Sequence, residues 1–345
     1  MNSFGRIFRA SILGESHGDC VGILLDGCPA GIHLKNDDFT MDIERRKPGA
    51  KGTTPRKEDD IPEIKSGVFN EKTTGTPITI LFKNSNTRSS DYEKQRAVPR
   101  PGHADFVASK KFGGFEDYRG GGHFSGRLTV ALVAAGVVAK KILSSITTLS
   151  KEKELLHKAN IMVNASILEI GGETDIEKGL QKAIDAKDTI GGIVECRVNG
   201  LPVGLGEPFF DSAESLISHA VFGIPAVRGI EFGAGFAAAR MFGSVHNDAL
   251  ESMDGTTTTN HAGGIVGGLT NGNELVFRIA IKPTSSTPKE QQTLNIETGN
   301  IESFSVKGRH DLCIALRVPV VLEAVTAIVL VDLLTIDHKI NRVII

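Results

Sequence analysis

The sequence predicts an α+β fold, a single large layered domain of antiparallel sheets and helices over residues 1–345. Candidate strands and helices alternate, but without the regular short β-α-β spacing that is typical of a doubly wound parallel sheet. Apolar residues make up 40% of the chain and charged residues 23%, an ordinary balance for a globular protein with a sizeable core. No repeat, heptad pattern or linker-like change in composition divides the chain, so we expect one domain.

Short β-branched runs predict the strands, and longer apolar runs that follow a capping residue predict the helices. In chain order, strands are predicted at 21–26, 78–82, 161–170, 192–198, 229–232 and 275–281. Helices are predicted from the N-cap Asn36 to about Arg46, and over 128–143, 175–186, 212–221 and 324–334. The helix over 128–143 is apolar almost all round until Lys140, so we expect it to lie buried in the centre of the fold.

Two long polar segments interrupt this alternation. The segment from Lys47 to Pro62 combines proline, glycine and basic residues without apolar periodicity, which predicts a long exposed loop. The segment from Lys83 to Arg100 is also polar and contains three arginines. Loops of this length inside a compact domain usually either carry function or are disordered, and their composition alone leaves both readings open.

The charge balance argues against binding to nucleic acid or to a membrane. The chain has 39 Lys and Arg against 41 Asp and Glu, a net charge of −2, so no overall field attracts polyanions. An RNA-binding role for the basic loop from Arg45 to Lys57 is weakened further, because the chain has two tyrosines and no tryptophan for base stacking. The apolar stretch 324–331 is far shorter than the ~20 residues of a membrane span.

The cysteines and the amino terminus indicate a cytoplasmic protein. The four cysteines, at positions 20, 28, 196 and 313, show neither close pairing nor metal-ligand spacing, so we expect reduced core residues. Residues 1–6 lack the charged start, apolar stretch and cleavage site of a secretory signal. No pair of His or Cys residues lies at helical spacing with a carboxylate, so no metal site is expected.

Five segments concentrate glycine, histidine, arginine and serine, the residue types that cradle and protonate anions. They are 14–18, 100–105, 119–127, the pair 260–264 and 282–286, and 307–311. Each segment alone is compatible with a structural turn or a solvated loop. The nucleophile elbow of hydrolases and the glycine fingerprint of dinucleotide-binding domains are both missing from the sequence, which argues against those two classes.

Taken together and in this order, the segments resemble the chorismate synthase family over nearly the whole chain. The resemblance rests on residues 4–18, 45–49, 73–77, 100–105, 117–122, 188–192, 204–208, 260–264, 282–286 and 308–311. It implies a β-α-β-α sandwich, a homotetramer, and conversion of 5-enolpyruvylshikimate 3-phosphate (EPSP) to chorismate and phosphate. The family requires reduced FMN, although no net oxidation occurs: phosphate leaves from C3 and a proton leaves from C6.

The resemblance also implies roles for individual residues. His17 is similar to the histidine that protonates the departing phosphate, His103 to the histidine beside the flavin ring, and Asp311 to the carboxylate that assists proton removal. The anionic groups of the substrate would be held by the cationic residues Arg46, Arg100, Arg127 and Lys51. Flavin contacts would come from His123, Phe124, Ser125, Pro225, Ala226, Gly267, Lys282, Pro283, Thr284, Ser285, Ser286 and Arg309.

The sequence departs from the family pattern in two places. Residues 123–128 read His-Phe-Ser-Gly-Arg-Leu where many members have Arg-Ser-Ser-Ala-Arg-Glu, and the loop at Lys51 is shorter and lacks an arginine that Lys51 would replace. Members with their own flavin reductase activity tend to be longer than this chain, so we expect an external flavin reductase to supply the reduced FMN. The main alternative is a flavin- or phosphate-binding protein that has lost catalysis, against which the presence of both histidines and Asp311 argues.

Overall fold

The computed structural model describes residues 2–54, 58–85, 94–149, 156–158, 161–306, 310–338 and 340. Its strands are β1 (Ser3–Phe4), β2 (Arg9–Gly14), β3 (Cys20–Asp26), β4 (Glu63–Ser66), β5 (Val68–Phe69), β6 (Lys72–Thr73), β7 (Ile78–Lys83), β8 (Thr147–Leu149), β9 (Leu156–Lys158), β10 (Met162–Ile170), β11 (Gly192–Asn199), β12 (Val227–Phe232), β13 (Ile265–Val266), β14 (Leu269–Thr270), β15 (Leu275–Ile281), β16 (Gln291–Leu294) and β17 (Ile301–Phe304). Its α-helices are α1 (Thr40–Arg46), α2 (Lys94–Ala97), α3 (Asp105–Phe112), α4 (Thr129–Ser144), α5 (Ile176–Ala186), α6 (Ala213–Val221), α7 (Gly243–His246) and α8 (Val318–Ile336).

Two antiparallel sheets form the framework. The first has the strand order β1-β2-β3-β7-β4 and the second has the order β10-β11-β15-β12. In β3 the side chains of Val21, Ile23 and Leu25 are fully buried, which is the alternation expected of a strand with one face on the core. The predicted α+β class with antiparallel sheets is therefore confirmed.

A pair of long helices lies between the sheets: α4 packs on the first sheet, α8 packs on the second, and the two helices pack on each other. Their close approach depends on Gly136, because a Cβ at that position would lie 2.2 Å from the Cβ of Ala324. Almost every residue of α4 is buried, as its apolar sequence predicts. Sheet, helix pair and sheet therefore share one continuous core.

Helix α8 begins at Val318, before the predicted start at Ala324, and it contains two buried carboxylates that find partners inside the protein. Glu323 accepts two hydrogen bonds from Arg45, both at 2.7 Å, and one from Lys140 at 2.8 Å. Asp332 accepts three backbone N–H groups of residues 6–8. With the turn before it, the helix spans Ile314–Ile336 and is long and apolar enough to cross a membrane, but 78% of its most apolar part is buried, so it is a core helix.

The predicted elements occur, and of these β15 has both ends as predicted while the others are shifted at one end or both. The predicted helices at 175 and 212 begin one residue later, because Asp175 and Ser212 are N-caps that accept the N–H of the third residue along. Asn36 is not the cap of α1 as predicted: it starts a 3₁₀ turn over Asn36–Phe39 that leads into the helix, and Lys35 precedes that turn. The sequence analysis missed β2 and α3, and α3 matters because it begins beside the site.

Candidate active site

A cavity of about 560 Å³ collects most of the predicted site residues. The predicted residues that line it are His17, Arg46, Arg100, His103, His123, Phe124, Ser125, Arg127, Pro225, Ala226, Lys282, Thr284, Ser285, Ser286 and Asp311. Six cationic side chains, four histidines and three carboxylates line it among the described residues. A concave site with this excess of positive charge suits an anionic ligand.

The glycine run after Arg119 forms the wall beside His17. Gly120, Gly121 and Gly122 all have positive φ, from 52° to 82°, a conformation that side chains rarely adopt. A Cβ at Gly120 would lie 2.4 Å from Cδ2 of His17, so only glycine allows the backbone to approach this ring. His17 is 7% exposed and faces the cavity from this wall. Glycine here provides close packing rather than the flexible hinge that such a run can also indicate.

The turn at Arg100 joins a guanidinium, an imidazole and a carboxylate. Asp105 accepts hydrogen bonds from Nε and Nη2 of Arg100 at 2.7 and 2.8 Å, and its Oδ1 lies 2.5 Å from Nδ1 of His103. Burial would raise the pKa of Asp105, but hydrogen bonds from Arg100 and His103 outweigh burial and hold that pKa well below its usual range. The carboxylate is therefore ionised, and it orients both predicted site residues.

A second carboxylate, Asp60, joins the other two predicted arginines. Its Oδ2 accepts Nη2 of Arg46 at 2.9 Å, and its Oδ1 pairs with Nη1 of Arg127. Asp60 has a φ of 52°, a left-handed conformation in which it points inward. Burial opposes its charge, but Arg46 and Arg127 lower the pKa of Asp60 all the same. The loop over residues 47–62 was predicted to be exposed: residues 49–51, 59 and 61 are, but Thr54, Glu58 and Asp60 are buried.

The guanidinium of Arg46 is only partly satisfied by this pairing. Burial, and after it the nearby charge of Arg317, lowers the pKa of Arg46 to about 10. Its Nη1 donates to Thr129 at 3.2 Å and its Nη2 to Asp60, but its buried Nε has no hydrogen-bond partner among the described residues. A buried unpaired N–H is costly, so this atom is a place where an anionic ligand would gain binding energy.

Asp311 is fixed on both of its oxygens. Oδ1 accepts the backbone N–H of Thr54 at 2.9 Å, and Oδ2 accepts Nη1 of Arg317 at 3.1 Å. Nε of Arg317 in turn donates to the carbonyl of Arg46 at 2.9 Å. Asp311 is 8% exposed. The hydrogen bonds from Thr54 and Arg317 hold it at the cavity wall, and Arg317 links it to Arg46 at the end of α1.

Nine of the twelve residues predicted to contact flavin line the same cavity. Lys282 donates to Oγ of Ser285 at 2.6 Å, and burial together with the charge of Arg228 lowers the pKa of Lys282. Oγ1 of Thr284 is buried with no partner among the described residues. Ala226 has a φ of 75°, which places its backbone in a conformation unusual for a residue with a side chain. Nδ1 of His123 lies 2.8 Å from the carbonyl of Gly14, which leaves Nε2 on the opposite edge of the ring.

The structure separates three predicted residues from this group, and a fourth is not in the part of the chain that it describes. Lys51 is exposed and its Nζ donates to Gln181 at 3.2 Å on the face of α5. Gly267 lies in the turn between β13 and β14, and neither it nor Pro283 lines the cavity. Arg309 lies outside the described residues.

Several lining residues escaped the sequence analysis, chiefly Thr54, Glu58, Asp60, Arg228, His310 and Arg317. The run Glu58-Asp59-Asp60 inside a basic segment was the available signal for the first carboxylates. Arg317 carries no local signal, because it lies in an apolar context at the start of the last helix. Its function in the site depends on the fold that brings it to Asp311.

Comparison with known proteins gives a consistent result. A family model described as chorismate synthase matches residues 8–335. A curated relative from Chitinophaga pinensis, named chorismate synthase, is 67% identical over 343 residues, 99% of each chain, and one of that name from Dehalococcoides mccartyi is 45% identical over 96% of each chain. A solved structure titled "Crystal Structure of Chorismate Synthase" superposes with a TM-score of 0.71 at 25% identity, covering 96% of this chain and 93% of the other.

Proposed function

Because the chain belongs to the chorismate synthase family, we propose that the cavity described above binds EPSP and reduced FMN side by side. The chain has the activity of that family, which is a phosphate-eliminating lyase of the shikimate pathway. The elimination breaks the C3–O bond to phosphate and the C6–H bond and forms a new double bond. The protein must therefore hold three anionic groups of the substrate, protonate one leaving group and accommodate one departing proton.

The buried Nε of Arg46 is the observation that carries the assignment of the substrate side. Arg46, Arg127 and Arg100 line the cavity with side chains that are almost entirely buried, and guanidinium forks match carboxylate and phosphate geometry. Asp60 offsets part of this charge but leaves Nε of Arg46 without a partner in the described chain. A carboxylate or phosphate of EPSP would complete this hydrogen bonding.

The part of the cavity formed by Lys282, Thr284 and Ser285 fits a phosphate-bearing flavin. Lys282, Thr284 and Ser285 offer an ammonium and two hydroxyls, and the Oγ1 of Thr284 has no hydrogen-bond partner in the described chain. Reduced FMN would supply electron density to the substrate and a site for the C6 proton. The chain would orient the flavin with the backbone around Pro225 and Ala226 and exclude water from it with Phe124.

We assign the acid and base functions to two different residues that line the cavity. His17, fixed against Gly120, would protonate the phosphate oxygen as the C3–O bond breaks. Asp311, held by Thr54 and Arg317, would assist removal of the C6 proton. His103 would contact the flavin through the ring edge that does not face Asp105.

We also propose the cellular setting of the reaction. The enzyme would act in the cytoplasm as a homotetramer and receive reduced FMN from a separate flavin reductase. Membership of the family supports the tetramer, the four cysteines without close pairing support the cytoplasm, and the separate reductase is expected because members with their own reductase activity tend to be longer than this chain.

Three single variants test the assigned roles. His17→Ala should lower kcat on the order of 10²–10⁴-fold, the usual range for a lost general acid, with little change in FMN affinity. His103→Ala should also shift the absorption spectrum of bound reduced FMN. Asp311→Asn should enlarge the deuterium isotope effect at C6.

The matched control is His33→Ala, because His33 is exposed and pairs with Glu71 on the surface. It should match the parent in every measurement. A variant among the three with kcat within about threefold of the parent, less than 1 kcal/mol of barrier, would remove that residue from the mechanism. A parent protein that binds FMN and EPSP but forms no chorismate would favour a binding protein without catalysis.

A further inference from the structure

The carboxylate of Asp105 contacts two site residues at once, and neither the family motif nor the proposed chemistry gives it a function. We propose that Asp105 is a positioning residue that fixes His103 as the tautomer with its proton on Nδ1, so that the lone pair of Nε2 faces the cavity. The same carboxylate sets the direction of the Arg100 fork. The inference rests on the proposed function only in taking His103 and Arg100 to act in the site.

The geometry assigns the proton. Nδ1 of His103 lies 2.5 Å from Oδ1 of Asp105 and 3.0 Å from Nη2 of Arg100. Nη2 can only donate, and one of its two hydrogens is donated to Oδ1 of Asp105 at 2.8 Å. The shorter contact is to an ionised oxygen, which can only accept, so Nδ1 carries the hydrogen and Asp105 receives it. Nη2 of Arg100 lies close to Nδ1 of His103 because both atoms donate to the same oxygen, Oδ1 of Asp105.

Local sequence explains why these three groups meet. Gly102 has a φ of 70° in the turn Arg100-Pro101-Gly102-His103, and Asp105 is the first residue of α3. The backbone N–H of Arg100 also donates to Oδ2 of Asp105 at 3.1 Å, which closes the turn. The turn is tied to the other wall of the cavity, because Oγ of Ser285 donates to the carbonyl of Gly102 at 2.7 Å.

The opposite edge of the His103 ring, which carries Nε2, is fixed by contact with Gly121. A Cβ at Gly121 would lie 3.3 Å from Nε2 of His103 and 3.1 Å from its Cε1, so this glycine, with a φ of 82°, lies against the ring edge. His103 lines the cavity while its side chain is 20% exposed. With Nδ1 bound to Asp105, the ring offers the cavity an acceptor when neutral and a donor when protonated.

Asp105→Asn separates positioning from simple ion pairing, because asparagine keeps the shape and one acceptor for Arg100. Its amide N–H₂ can donate to Nδ1 of His103, which would move the proton to Nε2. The expected result is a fall in kcat on the order of 10²–10⁴-fold, as for a catalytic histidine held in the wrong tautomer. KM for EPSP should change less than tenfold, since Arg100 keeps Ser286 and the asparagine carbonyl as partners.

The direct readout is the ¹⁵N spectrum of the histidine side chains in the whole protein at alkaline pH, where imidazoles are neutral. The signals of His103 are those missing from His103→Gln. The parent should show a protonated Nδ1 and an unprotonated Nε2, and Asp105→Asn should show the reverse. This spectrum does not depend on turnover.

Asp332→Asn is the matched control, because Asp332 is a buried carboxylate with three hydrogen bonds that lies outside the cavity. It should lose stability but keep the parent spectrum of His103 and the parent kcat. A parent spectrum with the proton on Nε2 would overturn the inference even if Asp105→Asn fails to fold. An Asp105→Asn protein with the parent tautomer and a kcat within threefold would overturn it as well. If the tautomer changes as expected but His103→Ala turns over normally, the positioning stands and the proposed role of His103 fails.

Discussion

The bridge from Asp60 to Arg46 and Arg127 makes a quantitative prediction about stability. The side chains of Asp60, Arg46 and Arg127 are 1%, 3% and 4% exposed, so the charges are shielded very little by water. Asp60→Asn removes the only buried negative charge in direct contact with these two guanidiniums in the described chain. Breaking a buried pair by removing one partner typically costs about 3–5 kcal/mol.

The expected loss can be measured as a thermal shift. For a chain of 345 residues the entropy of unfolding is about 0.7 kcal/mol/K, so 1 kcal/mol corresponds to about 1.4 °C in Tm and Asp60→Asn should unfold roughly 4–7 °C below the parent. The control is Asp59→Asn, which removes the same charge from the exposed neighbouring residue and should unfold near the parent Tm.

Inorganic phosphate provides the second arm of the test. Without Asp60, the guanidiniums of Arg46 and Arg127 lack their internal counter-ion, so a phosphate ion should raise the Tm of Asp60→Asn more than that of the parent. If Asp60→Asn unfolds within 2 °C of the parent, and phosphate raises both by the same amount, the account of the arginine cluster is wrong.

Three further predictions concern pH, ligand binding and the reductant. Because the folded state lowers the pKa of Asp60, its stabilisation is fully present above the unfolded value of about 4 and is lost as pH falls through the folded value; chemical denaturation should therefore show the gap between parent and Asp60→Asn closing on acidification. Amide hydrogen exchange in the segments 47–62 and 83–100 should slow when FMN and EPSP are added together, and unchanged exchange would remove both from the site. With NADPH and oxidised FMN, the purified protein should form no chorismate until a flavin reductase is added, and turnover by the protein alone would refute this.

The sequence predicted those parts of the fold that local pattern determines. Strand β15 was predicted with its exact ends, since its β-branched alternation pairs with neighbours on both sides. The early start of α8 was not predicted, because Glu323 resembles a helix limit until its partners Arg45 and Lys140 are known. From sequence alone, a charged residue is interpreted as the end of a buried helix. In the folded protein, an ion-pair partner allows the charged residue to lie inside such a helix.

In the candidate site, too, some residues were predicted from a local motif, whereas others depend on contacts that only the fold creates. Glycine and histidine motifs located the walls that hold His17 and His103, because motif and geometry coincide over a few residues. The contribution of Asp60 depends on a left-handed backbone and on partners 14 and 67 residues away, which no local pattern specifies. Lys51 had the right charge and loop but contacts α5 instead of the cavity.

The central claim is that this cavity carries out a phosphate elimination that needs reduced FMN without consuming it. The most direct test is anaerobic incubation of the purified protein with EPSP and dithionite-reduced FMN, with chorismate and inorganic phosphate measured in the same sample. The account predicts equal amounts of the two products over many turnovers for each FMN, and none with oxidised FMN. Turnover with oxidised FMN, or release of phosphate without chorismate, would contradict it.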